Sequence, residues 1–247
     1  MARKVKINSS FKERFARIEK SKEVETKERR LYFLIVCEGT KTEPNYFKEL
    51  KKDLPKESVV ISDMHVKGTG RNTESLVDFT IKYRDSFSQK FDRVWAVFDR
   101  DSFSEKQFNT SIAKASYQNI NSAWSNEAFE LWFILHFQFV NHAMPREDFK
   151  AFITREINRK SKSKGYVYEK NQLGTYKILQ SLGNQDQAIK WAKQLHNTFE
   201  GSKFASRNPC TLVYMLIEEL LYPEKVLKKL EEEEKEEEQV VVDTVPS

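Results

Sequence analysis

The chain has 247 residues, of which 39% are hydrophobic, 13% aromatic and 32% charged, with only 7 Gly and 6 Pro. That length buries a core without disulfides or metals, and the composition excludes disordered, collagenous and disulfide-scaffold classes. The formal charge of +5 is unevenly spread: residues 231–238 (EEEEKEEE) carry −6 and so leave +11 on the remainder.

Residues 1–29 read as a basic arm, either a solvated, partly helical extension or a set of phosphate contacts. The arm lacks an apolar core ahead of a small-residue cleavage site, so no secretory signal is expected. The most apolar runs, 31–37 and 129–137, fall far short of the roughly 20 residues that a bilayer needs. A cytoplasmic protein is expected, and the two cysteines, Cys37 and Cys210, show neither metal-type spacing nor a disulfide framework.

From residue 30 to 126, apolar runs alternate with amphipathic stretches, which predicts an α/β unit with a parallel sheet. LYFLIVC (31–37) is a buried strand by its continuous apolar character, and a helix follows over 44–54 with Phe47, Leu50 and Leu54 on one face. VVISDMHV (59–66) is the second strand. KGTGRNT (67–73) leads into a helix capped by Thr73, with Leu76, Val77, Thr80 and Tyr83 on one face. VWAVF (94–98) is the third strand, a helix spans 105–118, and a short strand covers 120–124. Residues 127–222 then read as a helical lobe packed on this core, with Asn208-Pro209 and Thr211 marking a helix start and KSKSKG (160–165) a hinge-like loop. Residues 223–247 read as an acidic, disordered tail, solubilising or mimicking nucleic acid.

Ligands in open α/β sheets gather at the carboxyl ends of strands. The first strand runs into Glu38-Gly39 and the third into Asp99-Arg100-Asp101. Asp99 and Asp101, two apart on extended backbone, project to one side and can reach one ion. Converging carboxylates repel unless a hard divalent cation joins them, so Glu38, Asp99 and Asp101 point to Mg²⁺ or Mn²⁺; the alternative for any single D-x-D is a turn that ends a strand. Glu130 lies among Phe129, Leu131 and Trp132, either at the edge of the apolar face or buried with a partner. Lys170 steadies a developing phosphorane charge or is a surface lysine. His136 and His142 are six apart, wrong for a helical metal pair, and Cys37 reads as packing. KGTGRNT offers backbone N–H groups to a phosphate but is no Walker motif.

A strand ending in Glu-Gly, two βα units, and a strand ending in Asp-x-Asp resemble the Toprim module of primases, type IA topoisomerases and OLD-type nucleases. The set VCEGTKTEPNYF, FDRDSF, FELWFILHF, GYVYEK and NPCTLVYMLIEEL is similar to the RloB family over residues 30–221. These are small bacterial Toprim-like proteins linked to phage defence and abortive infection. The resemblance implies a metal-dependent nuclease acting on DNA or RNA, encoded beside an ATPase partner. It implies that Glu38 is a metal ligand or general acid/base and that Asp99 and Asp101 hold the ion. Glu43 matches the second acidic residue of E-G-x-x-x-E, holding a second ion or simply a carboxylate at a helix N-terminus. The rival function is a non-catalytic, nucleic-acid-sensing subunit of an ATPase complex, and a homo-oligomer stays open.

Overall fold

The computed structural model describes residues 31–54, 63–69, 73–100, 104–162 and 164–244. The basic arm, the first half of the expected second strand (59–62), Gly70 to Asn72 and Asp101 lie outside these residues.

Four parallel strands run in the order β2-β1-β3-β4: β1 Tyr32–Cys37, β2 Asp63–Gly68, β3 Arg93–Arg100 and β4 Asn121–Asn126. Residues 33–37 and 94–99 are buried without alternation, so both faces of the sheet are covered, as parallel strands require. Helices α1 (Thr42–Asp53), α2 (Thr73–Asp85) and α3 (Glu105–Tyr117) connect the strands. Helices α2 and α3 pack together on one face, where Phe108 of α3 lies 5.6 Å, ring to ring, from both Phe98 and Trp124. A capping box of Ser104 and Gln107 starts α3, satisfying N–H groups that the first turn leaves free.

The second half is helical: α4 (Glu130–Leu135), α5 (Arg146–Ser161), α6 (Thr175–Leu182), α7 (Gln185–Asn197), α8 (Val213–Leu221) and α9 (Pro223–Thr244). Helix α1 packs on α6, while α4 and α8 reach β4, so a single apolar cluster runs through both halves. Tyr46 of α1 sits at its centre, edge-on to Phe47, Phe129 and Tyr176 and hydrogen-bonded through its hydroxyl by Trp132 Nε1 at 2.9 Å.

Two expectations need correction. The apolar run from Pro209 is not helical at its start: residues 210–212 lie antiparallel along β4, with Asn126 N donating to Cys210 O and Leu212 N to Trp124 O, both at 2.8 Å. The outer edge of β4 has unpaired backbone groups there, and satisfying them outweighs helical propensity. The acidic tail is not disordered through 244 but belongs to α9. Val226 anchors that helix in the core, and Lys228–Glu232 and Lys229–Glu233 form i,i+4 pairs at 3.8 and 3.7 Å along it.

Candidate active site

The chain leaves β1 for β2 on one side and returns to β3 on the other, which opens a crevice between the carboxyl ends of β1 and β3. Their register, Cys37 opposite Val97, sets Glu38 level with Phe98 and one residue short of Asp99. The Glu38 amide donates to Val97 O at 2.8 Å, and the Asp99 amide donates to Glu38 Oε2 at 3.2 Å. Asp99 is buried, and among the described residues its Oδ1 has no hydrogen-bond partner.

Glu43, the second residue of α1, is folded back onto the turn. Its buried carboxylate accepts backbone N–H bonds from Gly39 and from its own residue, and it fills the space beside Gly39 so closely that a Cβ there would lie 2.2 Å from Oε2. Gly68 plays a matching part from β2: a Cβ on it would lie 2.6 Å from Gly39 O and 2.7 Å from Thr40 Cα. The Thr69 amide and hydroxyl both donate to Cys37 O. The Gly68 end of KGTGRNT therefore shapes the Glu38-Gly39 turn by close approach.

Glu130 opens α4, is buried, and accepts a 3.2 Å hydrogen bond from the Tyr168 hydroxyl. Tyr168 and the exposed Lys170 sit on a segment that docks against α1. Thr42 Oγ1 donates to Asn171 Oδ1 at 3.1 Å, and Gly174 N donates to Glu49 Oε1 at 3.0 Å. Helix α5 holds the other flank through Asn158, which bonds both N–H and C=O of Tyr166, and through the 2.6 Å Lys150–Glu169 ion pair.

These side chains form one electrostatic group. Burial, and then the charges of Glu43, Glu130 and Glu38, push the Asp99 carboxyl well above the usual carboxylate range, against the opposing pull of Lys170. Burial raises Glu43 as well, with Glu130 adding to it, while its N–H bonds and Lys170 oppose the rise. Five of the six sequence-predicted residues, Glu38, Glu43, Asp99, Glu130 and Lys170, thus converge; Asp101 lies outside the described residues. Among the described residues, no three His, Cys, Asp or Glu side chains are arranged to hold one ion by themselves. The donor set nonetheless fits a hard divalent cation: all oxygen, mutually repelling, with the buried Asp99 Oδ1 unpartnered, and Mg²⁺ usually takes only one or two carboxylates alongside water and phosphate.

The other sequence candidates fall elsewhere. His136 is in the core, with Nδ1 2.9 Å from Trp132 O, and burial pushes it down to about 4. The Cys37 thiol is raised well above its ordinary value by burial and then by Glu43, which keeps it protonated and makes it a packing residue. A cavity of about 820 Å³ lined by Arg93, Trp95, Asn121, Glu219 and Lys229 opens at the amino ends of β3 and β4, away from the carboxylates. The residue that sequence reasoning missed is Tyr168. It is uncharged and lies in an aromatic pair, Tyr166 and Tyr168, whose alternation in GYVYEK was the available signal.

The model of the RloB-like protein family matches residues 33–220. No curated protein and no solved structure matches the chain.

Proposed function

The chain belongs to the RloB-like protein family, and from that premise we propose that it is a divalent-metal-dependent nuclease that hydrolyses phosphodiester bonds of DNA or RNA. The observation that supports this most is the buried Asp99 carboxylate, unpartnered at Oδ1, beside Glu38, Glu43 and Glu130 at the switch point of the sheet. Glu38 and Asp99, joined by Asp101, would hold Mg²⁺ or Mn²⁺, and Glu43 would complete the set. Such an ion neutralises phosphate charge and makes bound water nucleophilic at neutral pH. Tyr168 fixes the Glu130 carboxylate; on this reading Glu130 would accept a proton and Lys170 would present a positive charge to the phosphoryl oxygens.

We further propose a role in phage defence by abortive infection, with activity controlled by an ATPase encoded nearby. The test is to purify the protein with and without that neighbour. Supercoiled DNA, single strands and tRNA are then offered with Mg²⁺, with Mn²⁺ and with chelator. Metal-dependent cleavage that Asp99→Asn abolishes is expected; absence of cleavage of every substrate, with and without the partner, overturns the reading.

A further inference from the structure

Of eight buried side-chain polar atoms without a hydrogen-bond partner among the described residues, three lie at the carboxyl ends of β3 and β4, Asp99 Oδ1, Arg100 Nε and Asn126 Oδ1, and a fourth, Arg207 Nε, belongs to the residue whose carbonyl accepts from Asn126 Nδ2. Buried polar atoms are almost always satisfied, so each of these calls for a partner that water or a ligand supplies. Asp99 and Arg100 are consecutive on an extended strand, and their side chains leave opposite faces of the sheet. The carboxylate joins the acidic group already described. Arg100 turns to the α3 face, where among the described residues its guanidinium makes a loose contact of 3.9 Å with the exposed Glu105.

On that same face, Asn126 stands opposite Arg100 in the β3–β4 register. Its Nδ2 donates to the carbonyls of Arg207 and Phe204, which leaves Oδ1 without a partner. Arg207 is only 6% exposed. Its Nη2 donates to Gly201 O, its guanidinium lies 4.8 Å over the Phe204 ring, and no carboxylate among the described residues pairs with it. A buried guanidinium without a counter-ion is costly, and an anion that repays the cost suits its forked donors best when it is a phosphate.

We propose that Arg100 and Arg207, braced by Asn126, form a second subsite that grips a backbone phosphate of the nucleic-acid strand next to the phosphate held over the carboxylates. The two subsites straddle the end of β3, so a strand lying across the carboxyl edge of the sheet meets the acidic cluster on one face and the arginine pair on the other. The arginines position substrate and leave the chemistry to the acidic side.

This inference takes its substrate class from the nuclease reading, and binding separates the two. The full-length protein is titrated with labelled 12-nucleotide DNA and RNA strands in Ca²⁺ across a salt series. Arg100→Gln and Arg207→Gln are each expected to lower the slope of log affinity against log salt by about 0.7 to 0.9, one phosphate contact's worth, and Arg207→Lys to restore most of it. Arg100 is partly exposed, so Arg100→Gln decides the matter even where Arg207→Gln fails to fold. Wild-type slope and affinity in Arg100→Gln, or no binding by the wild type, overturns the proposal. An arginine-dependent slope in a protein that cleaves nothing with Mg²⁺ or Mn²⁺ sustains the subsite and sinks the nuclease reading instead.

Discussion

Gly39 lacks a side chain because the Glu43 carboxylate occupies the space where one would stand. The clash in Gly39→Ala would be with the far end of a flexible side chain, so the backbone is kept and the carboxylate is displaced. The variant is expected to melt close to wild type yet lose about 10- to 100-fold in metal affinity or activity, as removal of groups that orient ligands typically does; equal metal-induced shifts in Tm for both proteins would show Glu43 to be a bystander. Asp99 makes a pH prediction. Its folded-state value is raised, so the stability it lends is greatest at low pH and is lost as pH climbs from the ordinary carboxylate range through the folded value. His136, pushed down to about 4 from 6.5, acts in the opposite sense, weakening the fold as pH falls between those values, and it is common to both proteins. The excess Tm of metal-free Asp99→Asn over wild type is therefore expected to widen from pH 4 to 8, and a constant difference contradicts the buried-cluster account.

Among the elements, the segment carrying Tyr168 and Lys170 joins the helical half to the acidic turn, through Asn171 on Thr42, Gly174 on Glu49 and Tyr168 on Glu130. Tyr168→Phe removes a hydrogen bond to a buried carboxylate and is expected to cost about 1.5 to 3 kcal/mol in urea unfolding, with a fall in activity beyond what Thr154→Ala, at the far side of the segment, produces. The Thr154 hydroxyl accepts the Tyr168 amide, at 2.9 Å. This arrangement marks where sequence reading stops. Strands β1 and β3 are legible because buried parallel strands are continuous apolar runs, and their acidic ends stand out against them. Tyr168 is not, since a neutral aromatic beside another is indistinguishable from packing until the α1 and α4 surfaces are assembled around it. The pairing of 210–212 with β4 is likewise tertiary: nothing in PCTL announces which strand edge lies open. Composition alone misreads the helix through the Glu-rich segment, whose Lys residues stand four positions ahead of Glu and which Val226 ties down.

At the scale of the whole molecule, charge is sorted by position. Lys229 and Glu233 of α9 border the cavity at the amino ends of β3 and β4, so the acidic helix begins on the side of the sheet away from the carboxylate crevice. Positive charge is concentrated in the ten Lys/Arg of residues 1–29. Deleting that arm is expected to flatten the salt dependence of nucleic-acid binding by about 0.7 to 0.9 for each phosphate it had neutralised, in addition to the two arginine contacts on the sheet edge; an unchanged slope would reduce the arm to a tether. The two halves of the molecule also meet in the hydrogen bond from Trp132 to Tyr46. Tyr46 lies three residues beyond Glu43 on α1, and Trp132 two beyond Glu130 on α4, so the bond spans the two helices that each deliver a carboxylate. An ion that drew those carboxylates together would alter the surroundings of that indole, which would then serve as an optical gauge of the proposed site. Titration with Mg²⁺ is expected to change tryptophan emission in the wild type and to leave it unmoved in Trp132→Phe, even though Trp95, Trp124 and Trp191 still fluoresce. The filling of the crevice is then readable by light, before any substrate has been identified.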